Sequence, residues 1–307
     1  MKVYNPDLKK SIVDELYYLD NTYFQLDKPI PFKDGLTIYP VNVQYYNEFL
    51  SSTACLTLNR LESIEGIETN NLGYLLLKVK DEKEGVMWST YLSKLCELVF
   101  HIKDGVRCKK CGKVMSYIDF VNAAQKAQEN NEKEIFCECG SSDLEGVITY
   151  RLNNENKQYE LIVNGVTITS DDFDRFREIV MYQNLPDYKD DSWVDPDVRE
   201  DQQEKQRLLA KKNKTGNATL ERKIICVGAK TGYTIDYIMG LSIRKFLILL
   251  SAVDDLITYE TTRIGLMTGM VSTKEPLEHW IYKREDEELY GKAATAENMQ
   301  NKLSGNE

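Results

Sequence analysis

Apolar positions along the chain change their period, and the changes mark its elements. Residues 6–19, behind Asn5 and Pro6, read as a short helix with a favourable cap and first-turn pair. The stretch LDKPIPFKDG then reads as a linker into a strand, LTIYP. After Pro40, Asn42 is a candidate cap for VQYYNEFLSSTACLTL, in which Tyr46, Phe49, Leu50 and Thr53 fall on one helical face. The run Asn71 to Lys80, NLGYLLLKVK, fits a helix or a strand, because a short apolar run satisfies both. Trp88, Leu92, Leu95 and Val99 recur at helical spacing and predict a helix that reaches Ile102. Ser116 can cap a further helix, SYIDFVNAAQKAQENN, with Phe120, Val121, Ala124 and Ala127 along one side.

Beyond residue 145 the period becomes two. The segment GVITYRL and the run QYELIVNGVTIT alternate, the latter on both sides of Asn164 and Gly165, a pair whose tolerance of positive φ marks a tight hairpin. Thr169 or Ser170 then caps SDDFDRFREIVMYQN, whose early aspartates suit the positive end of the helix dipole. From Leu185 the chain turns acidic, with seven carboxylates between Asp187 and Asp201. They lack the D-x-D-x-D-G pattern of a calcium loop. The ordinary reading is a solvated helix capped by Asp195, started by Pro196 and basic at Lys211 and Lys212.

The last ordered module reads as helix, turn, short helix, turn, helix: Thr219 caps LERKIICVGAKT, Gly232 ends it, Thr234 caps IDYIMG and Ser242 caps IRKFLILLSAVDDLITYETTRIG. The layout is that of a DNA-reading helix-turn-helix, but its chemistry is not. The third helix is apolar at ten of the sixteen positions from Ser242 to Ile257, where a helix in the major groove needs polar side chains. It is expected to be buried in its own module or to lie against a partner.

These elements predict an α+β chain, mostly helical, with a four-cysteine knuckle, a small antiparallel hairpin sheet and a helical carboxy-terminal module. The expected organisation is a mixed domain at 1–184, containing a metal-bearing subdomain at 103–145 and a hairpin at 146–169. An acidic linker and solvated helix at 185–218 follow, then a helical module at 219–283 and a disordered tail at 284–307.

Composition narrows the function. The 307 residues carry 39 basic and 49 acidic side chains, a net charge of −10, which argues against a protein that coats nucleic acid. No run approaches a membrane span, since Phe246 to Val253 ends at Asp254 and Asp255. The start, MKVYNPDLKK, has no apolar core of a signal peptide, so a cytoplasmic protein is expected. Phosphate loops, nucleophile elbows and Cys with His pairings are absent from the sequence, and a non-enzymatic role is expected. His279 beside Trp280 reads as structural.

Four of the seven cysteines form two tight pairs, Cys108 with Cys111 and Cys137 with Cys139, each followed by a glycine, Gly112 and Gly140. The spacing C-x2-C-x25-C-x-C has a longer insert and a shorter second gap than the familiar ribbon, yet four thiolates in two knuckles point to a closed tetrahedral zinc site of structural type. Arg107, Lys109 and Lys110 would favour the charged thiolates. The cations at 103, 107, 109, 110 and 113 leave room for a zinc-ribbon regulator that binds nucleic acid or polymerase. Glu129, Glu132 and Glu134 in the insert and the lack of an aromatic ladder oppose it. Cys55, Cys96 and Cys226 sit in apolar runs and read as small core residues.

Two segments carry a resemblance. IPFKDGLTIYPVNVQYYNEFLSS resembles the strand-then-helix opening of baseplate and tail assembly chaperones of large tailed bacteriophages. LERKIICVGAKTGYTIDYIMGLSIRKFLILLSAVDD, with PLEHWIYK, is similar to segments of phage tail assembly proteins. The resemblance implies a non-enzymatic chaperone or virion component that holds a tail, tape-measure or baseplate protein, in the host cytoplasm or carried into the virion. Nineteen tyrosines suit such a binding surface, since tyrosine gives contact area at small entropic cost.

Overall fold

The computed structural model describes residues 26–129, 135, 137–154, 157–186, 188, 194–212, 218–273 and 277–281. The helix expected at 6–19, the tail at 284–307 and most of the acidic run after Leu185 lie outside them. The architecture is α+β. By its contacts the chain forms two compact units, Met1–Leu250 and Ser251–Glu307.

In the first unit a hairpin opens the fold. Strands β1 (Ile30–Lys33) and β2 (Leu36–Ile38) pair antiparallel, Ile30 opposite Ile38. The stretch expected to be a linker therefore forms a strand, because Asp34 and Gly35 both adopt positive φ (44° and 87°) and close a two-residue turn. Asn42 does not cap a helix. It sits in an isolated bridge with Ser242, and its neighbours form one 3-10 turn before helix α1 (Tyr46–Ser52).

Three helices build the main core. α2 (Ile64–Glu68) precedes α3 (Asn71–Lys80), which resolves the ambiguous run as a helix: Asn70 caps it by accepting from the Gly73 N–H at 2.7 Å, and Leu72, Leu75 and Leu76 are fully buried. α4 (Gly85–Phe100) stops where His101 turns left-handed (φ 55°), its ring stacked on Tyr39 at 4.2 Å. The helix formed by Ser170–Asn184 lies against α3. Phe100 stacks on Phe176 at 5.1 Å, and Phe32 and Phe173 pack round them.

Strands β3 (Val106–Cys108), β4 (Val114–Met115) and β5 (Leu144–Gly146) form one small sheet in the order β4-β3-β5. Helix α5 (Tyr117–Glu129) fills the insert between β4 and β5; Ser116 accepts from the Asp119 N–H at 3.2 Å. A second sheet orders β6 (Ile148–Leu152), β7 (Tyr159–Val163) and β8 (Val166–Ile168) antiparallel, with Asn164 and Gly165 at positive φ in the turn. Helix α6 (Ser170–Asn184) starts in a reciprocal capping box between Thr169 and Asp172. Helix α7 (Pro196–Lys212) begins behind Asp195, which accepts from the Asp197 N–H at 3.0 Å.

Helices α8 (Leu220–Thr231) and α9 (Ile235–Gly240) are capped by Thr219 and Thr234, and Gly232 ends α8 at φ 77°. α10 runs from Ile243 to Met267. Ile224, Val227, Ile238 and Phe246 form a second core, and Val43 completes it from the other end of the sequence. Two backbone bonds reinforce the join: Val43 N–H to Leu241 at 2.9 Å and Ile243 N–H to Val41 at 2.8 Å. Residues 219–250 thus belong to the first unit. The third helix of the module is buried at Ile243, Phe246 and Val253 and exposed further on, at Ile257 and Ile264.

In the second unit, the end of α10 closes on Gly269 (φ 72°), with the N–H groups of Met270 and Val271 both donating to Gly265. His279 rests 5.1 Å from the Tyr259 ring and beside Trp280.

Candidate metal centre

The site is built from two turns that face each other. In the first, β3 delivers Cys108, whose N–H donates to the Lys113 carbonyl at 2.9 Å while its carbonyl accepts from the Gly112 N–H at 2.8 Å. Gly112 is left-handed (φ 75°), a conformation that costs glycine least. The second turn repeats the device over one residue fewer: the Gly140 N–H donates to Cys137 at 2.7 Å, and Gly140 has φ 79°. The Lys109 N–H donates to Asp143 at 3.0 Å and ties the first turn to the chain leaving the second.

The turns bring all four sulfurs together. Every pair of Sγ atoms among Cys108, Cys111, Cys137 and Cys139 lies within 4.8 Å, and Cys108 to Cys139 and Cys111 to Cys137 are each 3.6 Å. Disulfides are excluded in this arrangement, because a bonded pair stands at about 2.05 Å. A tetrahedral ion with sulfur ligands at about 2.3 Å has ligand edges near 3.8 Å, which is the observed scale. The donor set therefore fits a structural metal with no coordination position left for water. Cys108 and Cys137 are buried while Cys111 and Cys139 face outward, as at the rim of a small lobe.

Local electrostatics favour the thiolate form. The Cys111 N–H, followed by the Lys110 N–H and the neighbouring thiols, lowers the Cys108 thiol to about 6 against the opposing effect of burial. Four thiolates and one divalent cation would leave a net double negative charge, offset by nearby cations. Those cations are also paired: Arg107 with Glu145, Lys113 with Glu138, and Lys109 with Asp143 at 3.3 Å. Sequence spacing singled out the four cysteines that cluster here but not these carboxylates, since Glu138, Asp143 and Glu145 become partners only when the turns meet.

The remaining cysteines divide. Burial pushes the Cys55 thiol up to about 12 and raises Cys96 as well, so both stay neutral core residues. Cys226 departs from expectation: it lies on the exposed side of α8, because the apolar run around it supplies only Ile224 and Val227 to the core.

With this geometry established, comparison with known proteins adds one finding. Residues 211–285 match a family model described as the second domain of YomV, a phage-derived family of the Bacillus prophage SPbeta type. The match spans α8, α9 and α10, roughly a quarter of the chain, and supports a phage protein. No curated protein and no solved structure gave a match. Among the described residues, no helix is long and apolar enough to cross a membrane.

Proposed function

We propose that this is a non-enzymatic phage morphogenesis protein, a tail or baseplate assembly chaperone or virion-associated component that binds another tail protein, with zinc holding its cysteine lobe. The carrying observation is an apolar surface within the segment that matches the phage family. On α8, α9 and the turn between them, Tyr233, Ile235 and Tyr237 are 46%, 59% and 53% exposed, and the two tyrosine rings meet at 4.8 Å. Ile225 on α8 is also 53% exposed. Large apolar side chains kept in water at this density mark a docking surface, and tyrosine pairs are favoured there. Zinc is preferred because four thiolates in a closed tetrahedron suit a thiophilic ion without geometric demands of its own. The pairing of Arg107, Lys109 and Lys113 with carboxylates favours a protein partner over nucleic acid, since those charges are already partly neutralised.

The test is recovery of the tagged chain from infected cells. Tail, tape-measure or baseplate proteins should co-purify, and the Tyr233→Ser, Tyr237→Ser double variant should lose them while keeping its melting temperature. Recovery of no morphogenesis protein, or unchanged recovery by the double variant, contradicts the reading.

A further inference from the structure

From Arg60 to Thr69 the side chains repeat with a period of three. A 3-10 turn (Arg60–Glu62) runs into α2 (Ile64–Glu68), and three rows result. Arg60, Ser63, Gly66 and Thr69 form a bonded row: the Arg60 guanidinium donates to the Thr69 carbonyl, Ser63 accepts from the Gly66 N–H at 3.0 Å, and a Cβ on Gly66 would stand 2.2 Å from the Arg60 carbonyl oxygen. Leu61, Ile64 and Ile67 form an apolar row, 39%, 77% and 61% exposed. Glu62, Glu65 and Glu68 form an acidic row, also exposed. The buried Asn59 fastens the segment, accepting from the Leu61 N–H at 3.0 Å and donating to the Val194 carbonyl at 3.0 Å. The apolar row is thus held in place in water, and little ordering entropy is lost when it is covered.

Charge defines what fits it. Glu62 is paired with Arg199 at 3.8 Å, whereas Glu65 and Glu68 have no ion pair among the described residues. Glu62 also lines an open cleft of about 410 Å³ with Arg199, Glu200, Glu204 and Arg207 of α7. Ridge and cleft together present five carboxylates against two guanidiniums. That surplus repels nucleic acid and anionic lipid, and a second copy of the same ridge would bring like charges together. We infer that the Leu61–Glu68 ridge is a docking site for a basic amphipathic helix of a protein partner. The apolar stripe of that helix lies on Leu61, Ile64 and Ile67, and its lysines or arginines face Glu62, Glu65 and Glu68. The row spans about two turns of such a helix, so the contact is small, weak and salt-dependent. It uses none of the residues of the Tyr233 and Tyr237 surface and does not rest on that reading.

Fluorescence anisotropy of the full chain with a synthetic helix of about 18 residues, leucine on one face and lysine on the other, tests this. Binding should be micromolar and fall about tenfold on raising salt to about 1 M, and the same helix with glutamate for lysine should not bind. Ile64→Ser with Ile67→Ser, and Glu65→Lys with Glu68→Lys, should each weaken binding about tenfold or more with unchanged circular dichroism. Asp254→Lys with Asp255→Lys changes the net charge equally and should leave it within about twofold. No binding, binding indifferent to the Ile64 and Ile67 changes, or an equal loss in the Asp254 and Asp255 control would each overturn the inference. So would self-association of the chain that Ile64→Ser abolishes, which would give the ridge to a second copy.

Discussion

Arg107, on the strand that ends in Cys108, donates to the side-chain oxygen of Asn164 at 2.8 Å and so ties the cysteine lobe to the hairpin turn of the neighbouring sheet. The same guanidinium also bonds the Asn164 carbonyl at 3.2 Å and pairs with Glu145. Val147 joins the two sheets from below, its N–H donating to Gly105 and its carbonyl accepting from Asn164. The lobe is therefore anchored by backbone as well as by side chain.

Replacing Arg107 with methionine should cost about 1 kcal/mol, because its partners are half-exposed and water replaces part of what is lost. Gly165→Ala should cost more, about 1–2 kcal/mol from the left-handed backbone alone, since a Cβ there would also stand 2.7 Å from the Arg107 guanidinium. Urea midpoints of the metal-loaded protein measure both; equal midpoints for the two variants and the wild type would count against the anchor.

Asn184 is fully buried and bonds twice, accepting from the Val41 N–H at 2.8 Å and donating to the Val180 carbonyl at 2.9 Å. Asn184→Leu should destabilise by about 2–3 kcal/mol, because it orphans a buried N–H beside the Val41 to Val43 segment that bonds Leu241 and Ile243. Hydrogen exchange should then show the Val43 and Ile243 amides losing protection together.

Two aspartates in α6 should give opposite pH slopes. Burial opposes the charge of Asp172, but the Lys33 ammonium, the Thr169 N–H and the Thr169 hydroxyl outweigh it and hold its carboxyl below the usual range. Its contribution is present above the unfolded value near 3.9 and lost as pH falls through the lower folded value. Burial raises Asp174 despite the Asn71 amide and the Arg177 and Arg60 charges, so the folded state holds that proton more tightly and stability declines as pH rises through the interval above about 3.9. Urea midpoints across the acid range should show Asp172→Asn flattening the loss on acidification and Asp174→Asn flattening the loss on the way up. Identical profiles for both variants would contradict these assignments.

Local chemistry was legible in the sequence wherever one residue decides the backbone. Asn164 with Gly165, Thr169, Thr219, Gly232 and Thr234 all act where their side chains, or lack of one, require. The Asp34–Gly35 turn was equally local, yet the prolines on either side of Ile30 disguised the strand that it closes. Long-range partners were not legible. Asn42 has the chemistry of a cap but is drawn into a bridge with Ser242, two hundred residues away. Cys226 lies in an apolar run whose inward face is taken by Ile224 and Val227. The clustering of the four cysteines was legible because knuckle spacing is short-range, whereas the carboxylates that pair the surrounding cations come from the other side of the α5 insert.

The most direct test of the account is native mass spectrometry of the purified chain under reducing conditions. One zinc ion per chain is expected, lost on replacing Cys108 and Cys137 together with serine, and its removal should open residues 106–146 to protease while the core around Phe100 and Phe176 stays protected. A metal-free chain of the same protease resistance, or one in which the four cysteines are oxidised in pairs, would contradict the account.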